Sequence, residues 1–239
     1  MTRKPSSLAQ TLAFLKSSTF FGALSDASLQ EFARKGHTSN YAKGRVICHR
    51  GDAGNSMMII LSGRVKVSNS MSDGREIVVN FSGVGDLVGE IAVLDGRERT
   101  ADVVALEDTE VFVIYRNDVL PVLTAHPSGM FEIIQILCEK LRSTTSIVED
   151  NMREMQARAA KGLLRLAQQH GVKTKDGIRI DLKISQTDLG NYLGLSRANV
   201  SRQLSHLKDV GIIRMEMAKI VIINEPVLVE ISEQAADTN

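Results

Sequence analysis

The spacing of apolar residues changes character three times along the chain. Leu8, Leu12 and Leu15 recur at helical intervals, and Leu29 and Phe32 repeat the spacing behind the start signal "SDAS". From about residue 38 the period falls to two. In "GRVKVSNS", Val65 and Val67 alternate with Arg64, Lys66 and Ser68, while "REIVVNF" and "EVFVIY" are β-branched or aromatic. "SDG" at 72–74 is a hairpin signal, and glycines recur at 44, 51, 63, 74, 85 and 96. Short strands at that turn spacing predict an all-β barrel or sandwich over residues 38–116.

After Pro127 the helical period returns. Met130, Ile134, Leu137, Leu141, Thr144, Val148, Asn151 and Met155 follow alternating steps of four and three, a heptad seam that predicts a long helix pairing with a second copy. The seam is interrupted at 143–146 by "STTS", four hydroxyl residues that helix propensity alone would not select. A helix over 158–169 follows, then a polar turn. In "ISQTDLGNYLGLSRANVSRQLSHLKDVGII", Ser185 and Asp188 form a capping box, Gly194 breaks the first helix, and Ser196 caps a second that Gly211 ends. Helix, short glycine turn and helix make a helix-turn-helix. "GIIRMEMAKIVIIN" then resembles a wing hairpin, although its turn lacks Asn-Gly or Asp-Gly.

Charge sharpens this division. Residues 156–223 carry 12 Lys and Arg against 5 Asp and Glu, whereas residues 1–155 carry 17 against 19. A basic segment of that size is the footprint of a polyanion binder. Its second helix opens "SRANVSRQ", with Val200, Leu204 and Leu207 on the inward face. Arg197 and Arg202 present forks that match guanine, Asn199 can pair with adenine, and Ala198 can touch a thymine methyl. Ser185, Gln186, Thr187, Ser196 and Ser201 complete the residues expected at double-stranded DNA. Two distant cysteines, Cys48 and Cys138, suit neither a metal cluster nor a disulfide framework. Cys48 and His49 are neighbours on a strand, pointing to opposite faces, which predicts a packed thiol and an exposed imidazole. No apolar run is long enough to span a bilayer and the N-terminus has no signal-peptide pattern, so a cytoplasmic protein is expected. No nucleophile–base pairing has a supporting motif, and no enzyme is expected.

The stretch "GEIAVLDGRERTA" (89–101) places Glu90 and Arg99 in apolar company. Either they neutralise each other, or they face a small ligand that carries hydroxyls and negative charge. An Arg fork neutralises a phosphate, a carboxylate accepts from a ribose hydroxyl, and a glycine lets backbone N–H groups approach without a Cβ in the way. Gly89-Glu90-Ile91-Ala92 followed by Arg99-Thr100-Ala101, inside this order of elements, resembles the Crp/Fnr family of bacterial transcription regulators over roughly residues 10–223. The resemblance implies an α+β architecture. A cyclic-nucleotide-binding β-roll (jelly roll) with flanking helices would occupy 1–126, a dimerisation helix and hinge 127–155, and a winged helix-turn-helix 156–239.

It further implies a cyclic nucleotide, cyclic AMP or cyclic GMP, as allosteric effector, held by Val88, Gly89, Glu90, Ile91, Ala92, Arg99, Thr100, Ser143 and Thr144. A homodimer would bind an inverted-repeat operator and engage RNA polymerase, with the hinge at 152–156. The enteric member of the family carries Glu where this chain has Ala198, and Ser where it has Thr100. Thr at that position is typical of cyclic-GMP-binding domains, and the branch resembles the Clr-type rhizobial regulators. Three readings stay open: a nucleotide-switched regulator, a constitutive DNA binder with a vestigial pocket, and a nucleotide-binding subunit of another partner.

Overall fold

The computed structural model describes residues 8–17 and 25–233. By its internal contacts the chain divides into two compact units, residues 1–142 and 143–239.

In the first unit, α1 (Leu8–Ser17) and α2 (Asp26–Lys35) precede the strands, and the Ser25 side chain caps α2 by accepting from Ser28 N. Eight strands follow: β1 (His37–Tyr41), β2 (Val46–Cys48), β3 (Ser56–Ser62), β4 (Val65–Ser70), β5 (Glu76–Ser82), β6 (Leu87–Val88), β7 (Asp102–Ala105) and β8 (Thr109–Tyr115). They form two antiparallel sheets, ordered β1-β8-β3-β6 and β2-β7-β4-β5. Period-two patterning sets the layers. Met58, Ile60, Val111 and Val113 join Val65, Val88 and Val103 in one core. Met57, Ile59, Phe112 and Ile114 join Leu15, Leu29, Phe32 and Ile133 in the other, beneath the helices. The six evenly recurring glycines all take positive φ, between 75° and 94°, so the turn signal was a conformational one.

One short helix, α3 (Glu90–Asp95), interrupts this pattern without having been foreseen, and α4 (Arg116–Ala125) follows the last strand as one of the flanking helices. Pro121 lies inside α4, where a sequence reading expects a break. The seam helix is α5 (Pro127–Asp150). Met130 and Leu137 pack against the core of their own unit. Leu141 and Val148 remain 68% and 61% exposed. With Phe131, Ile134, Cys138 and Thr145, all exposed, they make a stripe at steps of three and four. The expected continuation of the seam through Asn151 and Met155 does not occur. Asp150 ends α5, residues 151–153 turn, and Met155 starts the next helix behind the N-cap Glu154.

The second unit contains α6 (Met155–His170), α7 (Gln186–Leu193), α8 (Arg197–Asp209) and α9 (Glu225–Glu233). The polar turn expected after α6 is instead a hairpin, β9 (Gly171–Thr174) and β10 (Gly177–Ile180). It joins β11 (Ile213–Glu216) and β12 (Lys219–Ile222) in one antiparallel sheet, ordered β11-β12-β10-β9. The wing turn is made by Met217 and Ala218, both at positive φ (47° and 65°), the conformation that Asn-Gly usually supplies. No helix among the described residues is long and apolar enough to cross a membrane.

Candidate functional site

The stretch that raised the question of Glu90 and Arg99 folds as strand, glycine and short helix. Val88 ends β6 and is buried, Gly89 turns the chain at φ 80°, and α3 begins at Glu90. The first N–H groups of such a helix lack intrahelical partners. Ala92 is buried and Ile91 is exposed. Arg99 returns beneath this turn. Its Nη1 donates to Gly89 O at 2.9 Å and its Nη2 to Ser56 Oγ at 3.0 Å. A Cβ on Gly89 would lie 2.1 Å from Arg99 Nη1, so the glycine is required by the guanidinium as well as by its own φ.

The Glu90–Arg99 pair that the sequence left open is not formed. Glu90, 2% exposed, is held from another direction: Lys140 of α5 donates from Nζ to Glu90 Oε1 at 2.7 Å and to Leu87 O at 2.9 Å. Arg99 is 6% exposed, its Nε–H is buried without a hydrogen-bond partner, and it forms no ion pair with any carboxylate among the described residues. A buried guanidinium without a counter-charge costs several kcal/mol. The arrangement fits an anion with further acceptors, as a cyclic phosphate is. Thr100, next in the chain, is exposed.

Ser143 is half-buried and Thr144 exposed, and both belong to the second compact unit. They lie three and four residues beyond Lys140 on α5, the spacing that puts side chains on one helix face. The Ser143 hydroxyl has no hydrogen-bond partner among the described residues. Cys48 is half-buried, its thiol pushed up by burial, while the His49 side chain is 65% exposed with Nδ1 3.4 Å from Asp102 Oδ1.

Lys140 and Ser56 were missed by the sequence reading. Lys140 is 50 residues from its partner and nothing in its local pattern marks it. The pair is testable. Lys140→Met leaves Glu90 buried and unpaired, which costs about 3–5 kcal/mol for a fully buried pair. The Lys140 side chain is 31% exposed, which lowers the expectation to about 2 kcal/mol. The melting temperature should fall by about 4–8 °C, and adding Glu90→Gln should restore most of it. A melting curve unmoved by Lys140→Met would show that the pair holds nothing.

In the second unit Ser185 caps α7, accepting from Asp188 N at 3.0 Å and donating to Asp188 Oδ2 at 2.6 Å. Gly194 ends α7 at φ 64°, and Ser196 caps α8 by accepting from Asn199 N at 3.2 Å. Leu189, Tyr192, Leu193, Val200, Leu204 and Leu207 form the buried side. Ser185, Gln186, Thr187, Ser196, Arg197, Ala198, Ser201 and Arg202 are exposed, and Asn199 is half-buried. Neither Arg197 nor Arg202 has a hydrogen-bond or ion-pair partner among the described residues. Ser205, one turn beyond Ser201, continues the exposed face and was not singled out.

Comparison with known proteins agrees with both halves. Residues 38–126 match the cyclic nucleotide-binding domain, and residues 157–231 match the Crp-like helix-turn-helix domain. The chain is 29% identical over 223 residues to the cyclic AMP receptor protein of Thermus thermophilus, covering 91% of this chain and 98% of that one. It is 26% identical over 184 residues to the CRP-like cAMP-activated global transcriptional regulator of Mycobacterium tuberculosis, covering 77% and 82%. FixK2 of Bradyrhizobium japonicum shares the fold at a TM-score of 0.75 with 23% identity, covering 84% of this chain and 99% of that one. With its β-roll, its buried arginine without a carboxylate partner and its exposed second helix of the helix-turn-helix, the chain belongs to the Crp/Fnr family of DNA-binding transcription regulators.

Proposed function

We propose that this regulator is switched by a cyclic nucleotide. The observation that carries the reading is Arg99: buried, without a carboxylate partner, and with an N–H unsatisfied. Arg99 takes the cyclic phosphate, together with the backbone at Gly89, Glu90, Ile91 and Ala92. Val88 and Thr100 flank the group, and Glu90 accepts from the ribose hydroxyl. Ser143 and Thr144 contact the base. Both cyclic AMP and cyclic GMP satisfy these groups, and Thr100 supplies a hydroxyl suited to the latter. The relatives named for cyclic AMP support this class of effector. Residues 1–126 then act as sensor, 127–155 as dimerisation helix and hinge, and 156–239 as DNA-binding domain.

In this reading two copies pair in parallel along α5, and the nucleotide favours one arrangement of the pair. It switches the protein only as far as it binds the two arrangements differently. The heads then present Arg197, Ala198, Asn199, Ser201 and Arg202 to an inverted-repeat operator, with Ser185, Gln186, Thr187 and Ser196 at the phosphates, in the cytoplasm and beside RNA polymerase. The exposed stripe supports the pairing, because an apolar heptad face is otherwise costly in water.

Cys138 lies in that stripe, and core positions of a parallel pair meet their own copies. Copper–phenanthroline oxidation should therefore give a disulfide-linked dimer that persists in Cys48→Ser and is lost in Cys138→Ser. A chain that sediments as a monomer with nucleotide and DNA present, and gives no cross-link, would contradict the pairing.

A further inference from the structure

The second unit begins within α5, at Ser143, so the last two turns of the seam helix belong with the DNA-binding elements. Three guanidiniums gather where α5 ends. Asp150, its last residue, is 3% exposed. Arg165 of α6 donates from Nη1 to Asp150 Oδ2 at 2.7 Å and to Ser146 Oγ at 3.3 Å. The same guanidinium donates from Nε to the Tyr192 hydroxyl at 2.7 Å and lies 5.0 Å from the centre of that ring. Tyr192 is in the last turn of α7.

Arg158 makes a second link. Its Nη2 donates to Asn151 O at 2.8 Å and to Arg153 O at 2.9 Å, the main chain of the turn after α5. Its Nη1 donates to Gly194 O at 3.1 Å, in the turn that leads into α8. Arg153 ties the same turn to α9 through Ser232 O at 3.1 Å. A Cβ on Gly194 would come within 2.4 Å of Asn151 Oδ1, so the two turns approach each other closely.

Both links run from the end of the seam helix to the C-terminal end of α7, the point from which the recognition helix departs. A turn of three residues would ordinarily act as a loose hinge. Here its carbonyls are held by one guanidinium, and the helix end before it is held by another. Planar forks with several donors fix direction as well as distance. We propose that Arg158 and Arg165 are positioning residues that lock the recognition helix to the end of the seam helix, so that a rearrangement of the seam reaches the DNA-reading face undiminished. The proposal rests on the reading of α8 as the DNA-contacting helix and of α5 as the switched seam. Neither arginine touches DNA or nucleotide in that reading. The buried tyrosine supports the lock: burial pushes its phenol up, keeping it a neutral hydroxyl beside Arg165.

The test uses the full-length protein and two variants. Arg158→Met removes the main-chain link. Tyr192→Phe keeps the buried ring and removes the hydroxyl that accepts from Arg165 Nε. Hydrogen exchange without nucleotide or DNA is read first. Amides of residues 151–154 should exchange at least tenfold faster in each variant, with those of β10 and β12 unchanged. DNA affinity is then measured at fixed salt with and without cyclic AMP, on a full inverted repeat and on a half-site. The gain from nucleotide on the full site should shrink at least fivefold, while half-site affinity stays within about twofold. A role limited to stability would lower both affinities together and leave the nucleotide gain intact. That result, or unchanged exchange at 151–154, overturns the proposal. If the wild type shows no nucleotide gain but the variants loosen 151–154 and spread full-site binding over several half-site spacings, the nucleotide switch fails and the lock stands.

Discussion

Arg99→Leu is expected to abolish cyclic-nucleotide binding while leaving the β-roll folded. The guanidinium is buried against Gly89 O and Ser56 Oγ, and no carboxylate neutralises it. Its charge is thus unspent in the folded protein. A charge-assisted contact to a buried anion is worth about 2–5 kcal/mol when one partner is truncated, which corresponds to roughly 30- to 5,000-fold in Kd. The stability change should be small, because the substitution also removes a buried charge whose desolvation was uncompensated. The two observables therefore separate: calorimetric affinity for cyclic AMP and cyclic GMP collapses, and the melting temperature without ligand moves by only a few degrees. Unchanged affinity would remove Arg99 from the pocket. A loss of affinity accompanied by unfolding would make it a structural residue.

The second large effect is expected at the recognition helix. Arg197 and Arg202 are exposed at the start of α8 and unpartnered among the described residues, so each is available to a guanine edge. Each correct pair contributes about 1–3 kcal/mol of discrimination, so Arg197→Ala should cost roughly 5- to 150-fold on the best site and relax choice at one base pair. Its loss on unrelated DNA should be smaller and uniform, as expected for one charge. Ala198 is exposed beside Arg197 and offers no acceptor to cytosine. Selection from a random pool should thus keep the guanine opposite Arg197 but tolerate A·T at the pair where the enteric relative, with Glu in this position, demands G·C. Ala198→Glu should restore that demand. Recovery of the enteric half-site by the wild type would refute the argument from Ala198.

The regular elements were legible because their signals are local. The recurring glycines marked turns that need positive φ, and all six adopt it. The Ser185 and Ser196 caps, the Gly194 break and the inward leucines define the two helices of the head in the sequence alone. Other features were less legible. The hairpin of β9 and β10 read as a polar turn because every residue from Gly171 to Thr174 is exposed and β9 has no buried face, although Asp176-Gly177 and the alternation Ile178-Arg179-Ile180 mark its turn and second strand. The end of α5 at Asp150 was hidden because Asn151 and Met155 extend the heptad count, whereas the carbonyls of Asn151 and Arg153 in the turn are taken by Arg158, a contact that local spacing does not show. At the pocket, the sequence supplied Gly89, Glu90 and Arg99 but not how they pair. That Glu90 is held by Lys140 and not by Arg99 is a tertiary fact across 50 residues. It removes the reading in which the two side chains neutralise each other.

The central claim is that nucleotide and DNA are coupled through one molecule. Its most direct test is the affinity of the wild-type protein for a selected inverted repeat at fixed salt, measured without ligand, with cyclic AMP and with cyclic GMP, alongside calorimetry of the same nucleotides. Allosteric couplings of about 1–3 kcal/mol correspond to 5- to 150-fold, and a gain in that range with at least one nucleotide is the predicted result. Tight binding of both nucleotides to the protein with identical DNA affinity in all three conditions would contradict it.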